Sequence, residues 1–597
     1  MKTAAYPSNV NNSSSAARIS NAAHSIMEIG ANQLKESALN ILAASCPTAV
    51  SNYRVCRCHL HDLEYSNITY NCIGMSVGTL IGEKQMTFAH ALRCLYRKIV
   101  ELCNMQSGGI GFINFDEDIS KYLTEDEDDE TVVDQFRELM IDFNSCIRKG
   151  CEKAYVTFNI GLSSTKAGRR VCSLLLDAYA MGDDNGSPFV FPNIVYKVKR
   201  DINKISGKIN YDLFKKALSV TAYHMVPTYF NCDTEANKIA DANKIGIMGC
   251  RTRVVNNLYG EDSSLLRGNV ACATMNLPQI ASECGGNVDI FKTKIREIML
   301  STKDVLIERF NMLTKQDFYA TRKHGWYLDA DKSAHQMFRN GTLSIGFIGL
   351  WDAISVLINR RIQGADDLQS LYPVAKSIVD CMRECTDNFT QETHLNFSLL
   401  ASAAEGVTGR FADYDYLHTS NHLLKEIASK GYYSNSFHVP VDVSISSYEK
   451  IALESEFHSV CNGGCITYVE FSEMPASNTE AILDMVDYAF EKGCNYFALI
   501  FHLTIAQHVD ILVESEKLAQ DVEGMISRGF VEYLDIYLNL TGLHQESIKR
   551  CSNVLDMTES IVTQVRNYKF LLFFACALET SYLCTRNRKH SHKSPYG

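Results

Sequence analysis

Apolar residues recur along the chain at two spacings, and each spacing predicts a different kind of element. Spacings of three and four residues are typical of amphipathic helices, and they occur over residues 22–42, 85–106, 211–222 and 288–314. Short runs of β-branched and apolar residues predict strands, which we place at 189–198, 244–248, 269–276, 341–350, 438–443 and 465–471. Helices and strands that alternate in this way predict the α/β fold class.

The composition is that of a soluble globular protein and excludes two classes of partner. The chain has 597 residues, of which 46% are hydrophobic and 21% are charged. Its formal net charge of -11 gives no basic footprint, so we expect no nucleic-acid partner. The best apolar run, at 570–578, is too short to span a bilayer, so we expect no membrane partner.

Cysteine is the unusual part of the composition, with 21 residues. No charged segment followed by a long apolar segment opens the sequence, so we predict no secretory signal. We therefore expect a cytoplasmic protein, because a reducing compartment keeps cysteines as thiols. Most of these thiols are expected to be small core residues, and only a few to carry chemistry.

Two cysteine-containing segments are candidates for chemistry. Residues 58–65, with Cys72 close behind, combine thiols, imidazoles and carboxylates as zinc sites do, but no second cysteine pair at structural spacing follows. Residues 248–254 place Cys250 in a glycine-flanked turn beside Arg251 and Arg253, whose charges would favour a thiolate and bound anions. A lone cysteine of this kind is more often structural, so both interpretations stay open.

Polar and small residues mark three further segments. Asn269 and Asn276 bracket one predicted strand, and Cys461 and Cys465 enclose a small-residue loop ahead of another. Glycines punctuate the strand at 341–350, where missing side chains let a ligand or a neighbouring element approach the backbone. None of these segments identifies a reaction by itself.

Taken together, the segments form a series of motifs in a fixed order. They are HLHDLEY at 59–65 with NC at 71–72, FPNIVYKVK at 191–199, MGCRTRV at 248–254, RGN at 267–269 with MNLP at 275–278, and GTLSIGFIGL at 341–350. In this order the motifs resemble those of the anaerobic (class III) ribonucleoside-triphosphate reductases, which are glycyl radical enzymes. The resemblance extends from about residue 22 to residue 505.

The resemblance implies a ten-stranded α/β barrel of two antiparallel five-stranded halves, with a cysteine-bearing finger loop through its centre. Cys250, at the tip of that loop, would be the transient thiyl radical that abstracts the 3′ hydrogen of the ribose. Cys72 would face it from a barrel strand and deliver the reducing hydrogen. Asn269 or Asn276 would hydrogen-bond the ribose hydroxyls, since an amide does so without titrating, and the sequence does not decide which.

Substrate contacts, cofactors and partners follow from the same resemblance. The implied substrate-binding residues are His59, His61, Arg251, Ser344, Gly346 and Gly349. For the two glycines, a packing role is as compatible with the sequence as a phosphate contact. The family uses a glycyl radical, zinc and ATP or dNTP effectors. The implied partners are a radical-SAM iron–sulfur activase, ribonucleoside triphosphates and either formate or a thioredoxin-like reductant, with a homodimer as the assembly; the pair Cys72 and Cys250 favours formate.

The end of the sequence departs from the family pattern. Family members carry two CxxC pairs that bind zinc, followed by RVCGYL or RVSGYL, whose glycine stores the radical. After residue 505 this chain has no CxxC and neither glycine motif, and only Cys551, Cys576 and Cys584 remain there. We therefore expect neither the zinc ligands nor the glycyl radical site in the chain as written.

A one-base shift of reading frame would account for this departure. When the last base of each codon is read with the first two of the next, residues 505–510 can encode CxxCG, 518–523 can encode CPxCG and 528–532 can encode RVCG. The tyrosine that should follow does not reappear, and a genuinely diverged tail is the alternative. We thus predict a disordered polar arm at 1–20, a reductase barrel at 21–505 and an out-of-frame tail at 506–597.

Other functions were weighed against this one. A chain without the radical glycine would be a radical-dead pseudoenzyme that only binds nucleotides and dimerises. A relative of formate lyase fits poorly, because those enzymes place two adjacent cysteines at the loop tip, whereas Cys250 lies between Gly249 and Arg251. The polar arm is too short for the ATP-binding cone of many relatives, so control of total activity by dATP is not expected.

Overall fold

The computed structural model describes residues 26–65, 71–145, 147, 153–315, 333–403, 406–471, 474–475 and 478–501. All of these residues belong to one compact unit. The arm predicted at 1–20 lies outside the described residues. So does the tail predicted at 506–597, with the shifted zinc and glycine motifs.

The described strands form two mixed sheets. In chain order they are β1 (Cys58–Leu60), β2 (Ile73–Met75), β3 (Ile110–Phe112), β4 (Val156–Ile160), β5 (Asn193–Val198), β6 (Thr228–Asn231), β7 (Asn269–Asn276), β8 (Thr342–Ile348), β9 (Asn396–Ala401), β10 (Thr467–Phe471) and β11 (Tyr496–Phe501). The larger sheet has the order β10-β11-β6-β5-β4-β3-β2, and the smaller has the order β1-β7-β8-β9.

The larger sheet changes strand direction once, between β6 and β11. Strands β2 to β6 pair in parallel, as do β7 to β9 in the smaller sheet. Strand β11 runs antiparallel to β6, with Phe497 opposite Tyr229, and β10 runs parallel to β11. In the smaller sheet, β1 runs antiparallel to β7 and places His59 opposite Thr274. Parallel pairs need a long crossover connection, which explains the helices between consecutive strands.

Hydrogen bonds outside the named strands join the two sheets at two places. At the first, the Asn269 N–H donates to the Cys72 carbonyl oxygen (2.9 Å), beside strand β2. At the second, the Gly463 N–H, ahead of strand β10, donates to the Leu399 carbonyl oxygen (2.8 Å) of β9. The larger sheet is therefore tied to the smaller one near both of its edges.

Helices connect the strands and pack their apolar faces against them. They are α1 (Ile26–Ser45), α2 (Pro47–Arg54), α3 (Val77–Ile81), α4 (Phe88–Cys103), α5 (Phe115–Ser120), α6 (Asp129–Asn144), α7 (Lys166–Met181), α8 (Tyr211–His224), α9 (Glu235–Lys238), α10 (Leu277–Ser282), α11 (Val288–Thr314), α12 (Ala334–Phe338), α13 (Leu350–Leu357), α14 (Ala365–Thr393), α15 (Val407–His418), α16 (His422–Ala428), α17 (Ser447–Ser455) and α18 (Thr479–Glu491). Helix α4 shows the pattern, since Leu92, Leu95 and Ile99 are all buried at helical spacing. Not one of the described helices is both long and apolar enough to cross a membrane.

The α/β class predicted from the sequence is confirmed. Strand β7 and helix α11 have the predicted bounds. Helix α11 begins where the Asn287 side chain accepts hydrogen bonds from the N–H groups of Asp289 and Ile290, the usual capping arrangement. The other predicted elements that the structure contains, with bounds shifted by a few residues, are α1, α4, α8, β5, β8 and β10.

The strand predicted at 244–248 is wrong. The segment begins with Lys244 at the end of a 3-10 helix, and Ile247 pairs with a side chain and not with a neighbouring strand. The Asn159 amide donates to the Ile247 oxygen and accepts from the Ile247 N–H, both at 2.8 Å. A side chain thus replaces the strand ladder that the apolar pattern predicted.

The strand predicted at 438–443 is also wrong. The segment contains Pro440, which lacks an N–H, and it turns where the Val443 N–H donates to the Pro440 oxygen (3.0 Å). The Val439 N–H donates to a carboxylate oxygen of Glu454 (3.0 Å). The backbone groups are therefore used in a turn and a side-chain contact.

Candidate active site

Residues 246–254, which we call the finger loop, are held by strand β4 of the larger sheet and by the segment ahead of strand β10. Besides the Asn159 contacts to Ile247, the Thr157 hydroxyl on β4 donates to the Gly249 oxygen (3.1 Å). On the other side, the Arg253 N–H donates to the Gly463 oxygen (3.0 Å). The loop closes on itself where the Met248 N–H donates to the Thr252 oxygen (3.1 Å). These contacts fix the backbone on either side of Cys250.

The tip of the finger loop lies directly against strand β3 and Cys72. A Cβ atom at Gly109 would come within 2.7 Å of the Gly249 Cα, so only glycine at position 109 allows this approach. A Cβ atom at Gly249 would lie 3.2 Å from the Cys72 sulfur. The residue next to Cys250 therefore faces the Cys72 thiol across a van der Waals gap.

The Cys72 thiol is buried and stays protonated. The Gly109 N–H donates to its sulfur (3.3 Å), and the Thr252 hydroxyl makes a longer contact of 3.9 Å. Burial raises the pKa of Cys72 to about 12, outweighing the hydrogen bond from Gly109. At neutral pH this cysteine is an S–H group, which can donate a hydrogen atom, and not a thiolate.

Both thiols line one cavity of about 170 Å³. Residues from β1, the start of β3 and the finger loop contribute to its wall, together with residues at the end of β9. The polar and thiol side chains of the lining are Lys35, Tyr53, His59, His61, Asp62, Glu64, Asn71, Cys72, Ser107, Tyr155, Cys250, Arg251, Thr252, Cys272 and Ser402. The cavity therefore combines hydrogen-bonding groups with three thiols, of which Cys72 and Cys250 are the two in the predicted motifs.

Two histidines of β1 occupy the cavity wall with distinct partners. The rings of His59 and His61 are 4.8 Å apart and nearly perpendicular. Arg410 donates to the His59 Nδ1 (3.0 Å). Burial lowers the pKa of His59, and His61 adds to the effect. The His61 Nε2 is 2.7 Å from the Thr274 hydroxyl, which is itself 2.7 Å from the Ser402 hydroxyl.

The two arginines of the finger loop differ in their partners. Arg251 lines the cavity, and its guanidinium donates to the Ser402 oxygen and the Tyr468 hydroxyl, both at 3.4 Å. Arg253 donates to the Asn237 side-chain oxygen (2.7 Å) and to backbone oxygens, away from the lining. Burial lowers the pKa of Arg253 to about 10. Of the pair, only Arg251 lines the cavity that contains Cys72 and Cys250.

The model of the family described as "Anaerobic ribonucleoside-triphosphate reductase" matches residues 15–517. The chain belongs to this family. The match extends over most of the chain and contains every described residue of the cavity.

Relatives in the family are similar at moderate identity. The anaerobic ribonucleoside-triphosphate reductase of Salmonella typhimurium (strain LT2) is 26% identical over an alignment of 478 residues. The alignment covers 72% of this chain and 66% of the relative. That of Enterobacteria phage T4 is 24% identical over 491 residues, covering 74% of this chain and 78% of the phage protein. The chain thus spans just under two thirds of the length of its Salmonella relative.

Solved structures show that the fold is shared. The anaerobic ribonucleotide reductase from Thermotoga maritima with citrate in its active site has a TM-score of 0.63 at 15% identity, covering 81% of this chain and 92% of that chain. The same enzyme in complex with dATP and CTP has a TM-score of 0.63 and covers 79% and 83%. The α/β fold is therefore that of the anaerobic ribonucleotide reductases.

The remaining predicted site residues of this family member lie outside the cavity lining. Asn269 donates to the Ser344 hydroxyl (2.5 Å), and Ser344 lies 2.7 Å from the Ser398 hydroxyl. Asn276 donates to Asp415 and to the Cys56 oxygen, both at 3.0 Å. Asn269, Ser344 and Asn276 thus belong to buried hydrogen-bond networks.

The two predicted glycines occupy different surroundings. A Cβ atom at Gly346 would meet the Ser402 hydroxyl at 1.9 Å, so this glycine keeps a cavity residue in place. Gly349 packs against Pro278, and its N–H donates to the Ser434 oxygen (2.7 Å). Gly346 therefore packs against Ser402, which lines the cavity, whereas Gly349 forms the turn into helix α13.

Sequence reasoning missed several residues of the cavity wall. Tyr155 and Ser402 stand at the ends of strands β4 and β9, and Thr274 links Ser402 to His61. They lie in no motif; Tyr155 directly precedes β4 and Ser402 directly follows β9, whereas Thr274 lies within β7. Among the residues that the structure describes, no group of three or more His, Cys, Asp or Glu side chains could hold a metal ion.

Proposed function

We propose that this family member reduces ribonucleoside triphosphates to 2′-deoxyribonucleoside triphosphates in the absence of oxygen, when its radical-bearing tail is in frame. The observation that carries the proposal is the pair Cys72 and Cys250 lining one cavity. As a thiyl radical, Cys250 would take the 3′ hydrogen of the ribose. Cys72, held in its S–H form by burial, would give a hydrogen atom to the substrate as the 2′ hydroxyl leaves as water.

Substrate contacts are proposed from the cavity outward. His59, His61 and Arg251 line the cavity and can bind the ribose hydroxyls and phosphates. Of the two asparagines, we favour Asn269, because its buried side-chain oxygen has no hydrogen-bond partner among the described residues. The oxygen of Asn276 already accepts from the Gln279 N–H (3.4 Å).

Ser344 and the two glycines would then act indirectly. Ser344 accepts a hydrogen bond from the Asn269 amide, and Gly346 leaves room for Ser402. Gly349 shapes the turn before helix α13. We assign these three residues to the orientation of the site and not to direct phosphate binding.

We further propose that the two sheets close into the ten-stranded barrel of the family. Support comes from the strand directions, in which β2 to β6 form one parallel set and β7 to β11 run opposite to it. The hydrogen bonds between the sheets at Asn269 and Gly463 join these sets at both ends. Strand β1 would lie outside the count of ten as an extension of one edge.

The tail of the chain as written does not fit the family's zinc or its glycyl radical. No CxxC pair and no RVCGYL or RVSGYL motif follows residue 505. A one-base frame shift explains this, since CxxCG, CPxCG and RVCG can be read from the neighbouring frame. The second candidate function, a pseudoenzyme that binds nucleotides and dimerises, is favoured by the same missing glycine. Sequencing the DNA across codons 495–535 decides between them.

Partners and effectors are proposed from the family. A radical-SAM iron–sulfur activase would generate the radical, and formate or a thioredoxin-like protein would supply electrons; the two cavity thiols favour formate. The Thermotoga enzyme was solved with dATP and CTP, which supports nucleotide effectors here. We also propose a homodimer and a cytoplasmic location.

The test compares the chain as written with a frame-restored version. Each is incubated without oxygen with the activase, S-adenosylmethionine and a ribonucleoside triphosphate. We expect a glycyl EPR doublet and deoxyribonucleotide only from the frame-restored version. In that version, Cys250→Ser and Cys72→Ser should keep the doublet and lose the product. A doublet from the chain as written would refute the account of the tail, and product from Cys250→Ser would refute the role of that thiol.

A further inference from the structure

Two cysteines that the proposed reaction does not use lie one turn apart on helix α14. Cys381 and Cys385 are four positions apart, the spacing at which helical side chains face each other. They are 5% and 7% exposed, so both lie just beneath the surface. Each thiol has the largest influence on the pKa of the other. They therefore form a dithiol on one face of the helix.

Basic side chains of helix α11 face this dithiol. The neighbouring Cys385 thiol lowers the pKa of Cys381, and Arg296 and Lys292 add to the effect against burial and Glu384. The neighbouring Cys381 thiol in turn raises the pKa of Cys385. The first proton therefore leaves the pair more readily than the second.

The spacing favours an ion between the sulfurs over a disulfide. Cβ atoms four residues apart on a helix are about 5–6 Å from each other. A disulfide needs Cβ atoms about 3.5–4.5 Å apart, so closing an S–S bond would distort the helix. An ion bound by both sulfurs spans the wider gap with the helix unchanged.

The donor set selects the kind of ion. Thiolate ligands favour soft cations such as Cu(I) and Zn(II). Structural zinc takes four ligands, whereas the described residues contain no cluster of three or more possible metal ligands. An ion that binds stably with two sulfur ligands fits the dithiol, and Cu(I) is such an ion.

We propose that Cys381 and Cys385 form a two-coordinate site for Cu(I). Binding joins the ion to one thiolate and one thiol, and the thiol proton is released to solvent. The resulting complex carries one negative charge, which Arg296 and Lys292 stabilise. Arg296 and Glu384 form an ion pair of 3.7 Å, and their side chains are 49% and 64% exposed. The dithiol therefore lies close to solvent, from which the ion can reach it.

The first experiment measures retained copper. The full chain is titrated with Cu(I) under nitrogen against a chromophoric Cu(I) chelator, and the double variant Cys381→Ser/Cys385→Ser is compared with it. We expect the variant to retain one equivalent less. Cys46→Ser is the matched control, because Cys46 is a near-surface thiol (8% exposed) with acidic neighbours and no thiol partner among the described contacts; it should retain as much as the parent. Equal retention by a folded double variant overturns the proposal.

A second measurement needs no variant and covers the case in which the double variant does not fold. The unsubstituted chain is alkylated with N-ethylmaleimide with and without one equivalent of Cu(I), and peptides are quantified by mass spectrometry. We expect Cu(I) to slow the alkylation of Cys381 and Cys385 at least tenfold and to leave Cys46 unaffected. Alkylation of the dithiol at the same rate in both samples overturns the proposal.

Discussion

The finger loop is built differently at its tip and at its base. At the tip, Gly249 packs against Gly109 and the Cys72 sulfur, with one hydrogen bond from Thr157. At the base, two buried arginines fix the backbone: Arg253 within the loop and Arg267, which binds the residues just after it. Their guanidinium groups donate to side-chain and backbone oxygens of Asn237, Ala236, Asn462, Val255, Asn256, Ser263 and Asn340.

The difference separates positioning from chemistry. Guanidinium groups present five donors in a rigid fork, so each buried arginine can hold several carbonyl groups at once. A site is placed more accurately when such a supporting layer holds the backbone. The tip can then carry the thiol of Cys250, while the arginines hold the backbone behind it. Four predictions test this comparison.

The largest effect is expected at Cys72, the thiol that faces the tip of the finger loop. An ordinary thiol with a pKa near 9 is roughly one-tenth thiolate at pH 8, whereas a pKa of about 12 leaves roughly one ten-thousandth. Alkylation of Cys72 by iodoacetamide at pH 8 should therefore be about a thousandfold slower in the native chain than in urea. Because the pKa is raised, the native rate should keep increasing with pH through pH 10. Peptide mass spectrometry measures both rates, and a native rate within tenfold of that in urea would contradict the prediction.

The base should respond most to loss of Arg267. Arg267→Met leaves several buried carbonyl oxygens without donors, including those of Ser263 and Asn340. We expect about 3 kcal/mol less free energy of unfolding, measured by urea denaturation. Arg54→Met is the control, since its ion pair with Glu36 is half-exposed and should be worth less than about 1 kcal/mol. Equal losses in the two variants would mean that the base is not the supporting layer.

Close packing at the tip gives the third prediction. Gly109→Ala places a methyl group 2.7 Å from the Gly249 Cα, and we expect about 2 kcal/mol of destabilisation together with faster alkylation of Cys72. The control is Gly30→Ala on helix α1, where a Cβ atom meets nothing within 4 Å. That variant should gain up to about 1 kcal/mol, because alanine favours the helix. Unchanged stability and alkylation in Gly109→Ala would show that the tip is loosely packed.

The smallest effect concerns the hydrogen bond from Thr157 to the tip. Thr157→Val removes the donor to the Gly249 oxygen (3.1 Å), which should cost about 1 kcal/mol in thermal or urea unfolding. In Thr131→Val the lost hydroxyl bonds to the exposed Asp128, so little change is expected. If Thr157→Val lowered the free energy of unfolding as much as Arg267→Met does, the tip would be held as firmly as the base, and the comparison would be wrong.

The sequence predicted helices and strands best where one spacing of apolar residues continues without a break over a long segment. Helix α11 and strand β7 were predicted to the residue because their apolar spacing is unbroken and a cap or an asparagine ends them. Helix α14 was missed, since Pro373 interrupts its pattern. The strand at 244–248 was misassigned because the partner of its backbone is the Asn159 side chain, which no local pattern reveals.

The cavity was predicted in part, and for a similar reason. Cys72, Cys250, His59 and His61 stand in motifs, and the structure lines one cavity with all four. Ser402 has no motif, and it reaches the cavity because β9 ends there. Which strand ends meet depends on the order of strands in the sheets, and that order is set by contacts between distant segments.

The hydrogen bonds that join the two sheets have a consequence for how the folded chain behaves in a crowded solution. Free strand edges are templates on which other chains add strands and aggregate. Here strand β2 and the segment before β10 give backbone groups to the partner sheet within the same molecule. The backbone groups that are paired in this way within the molecule are not available to a strand from another chain.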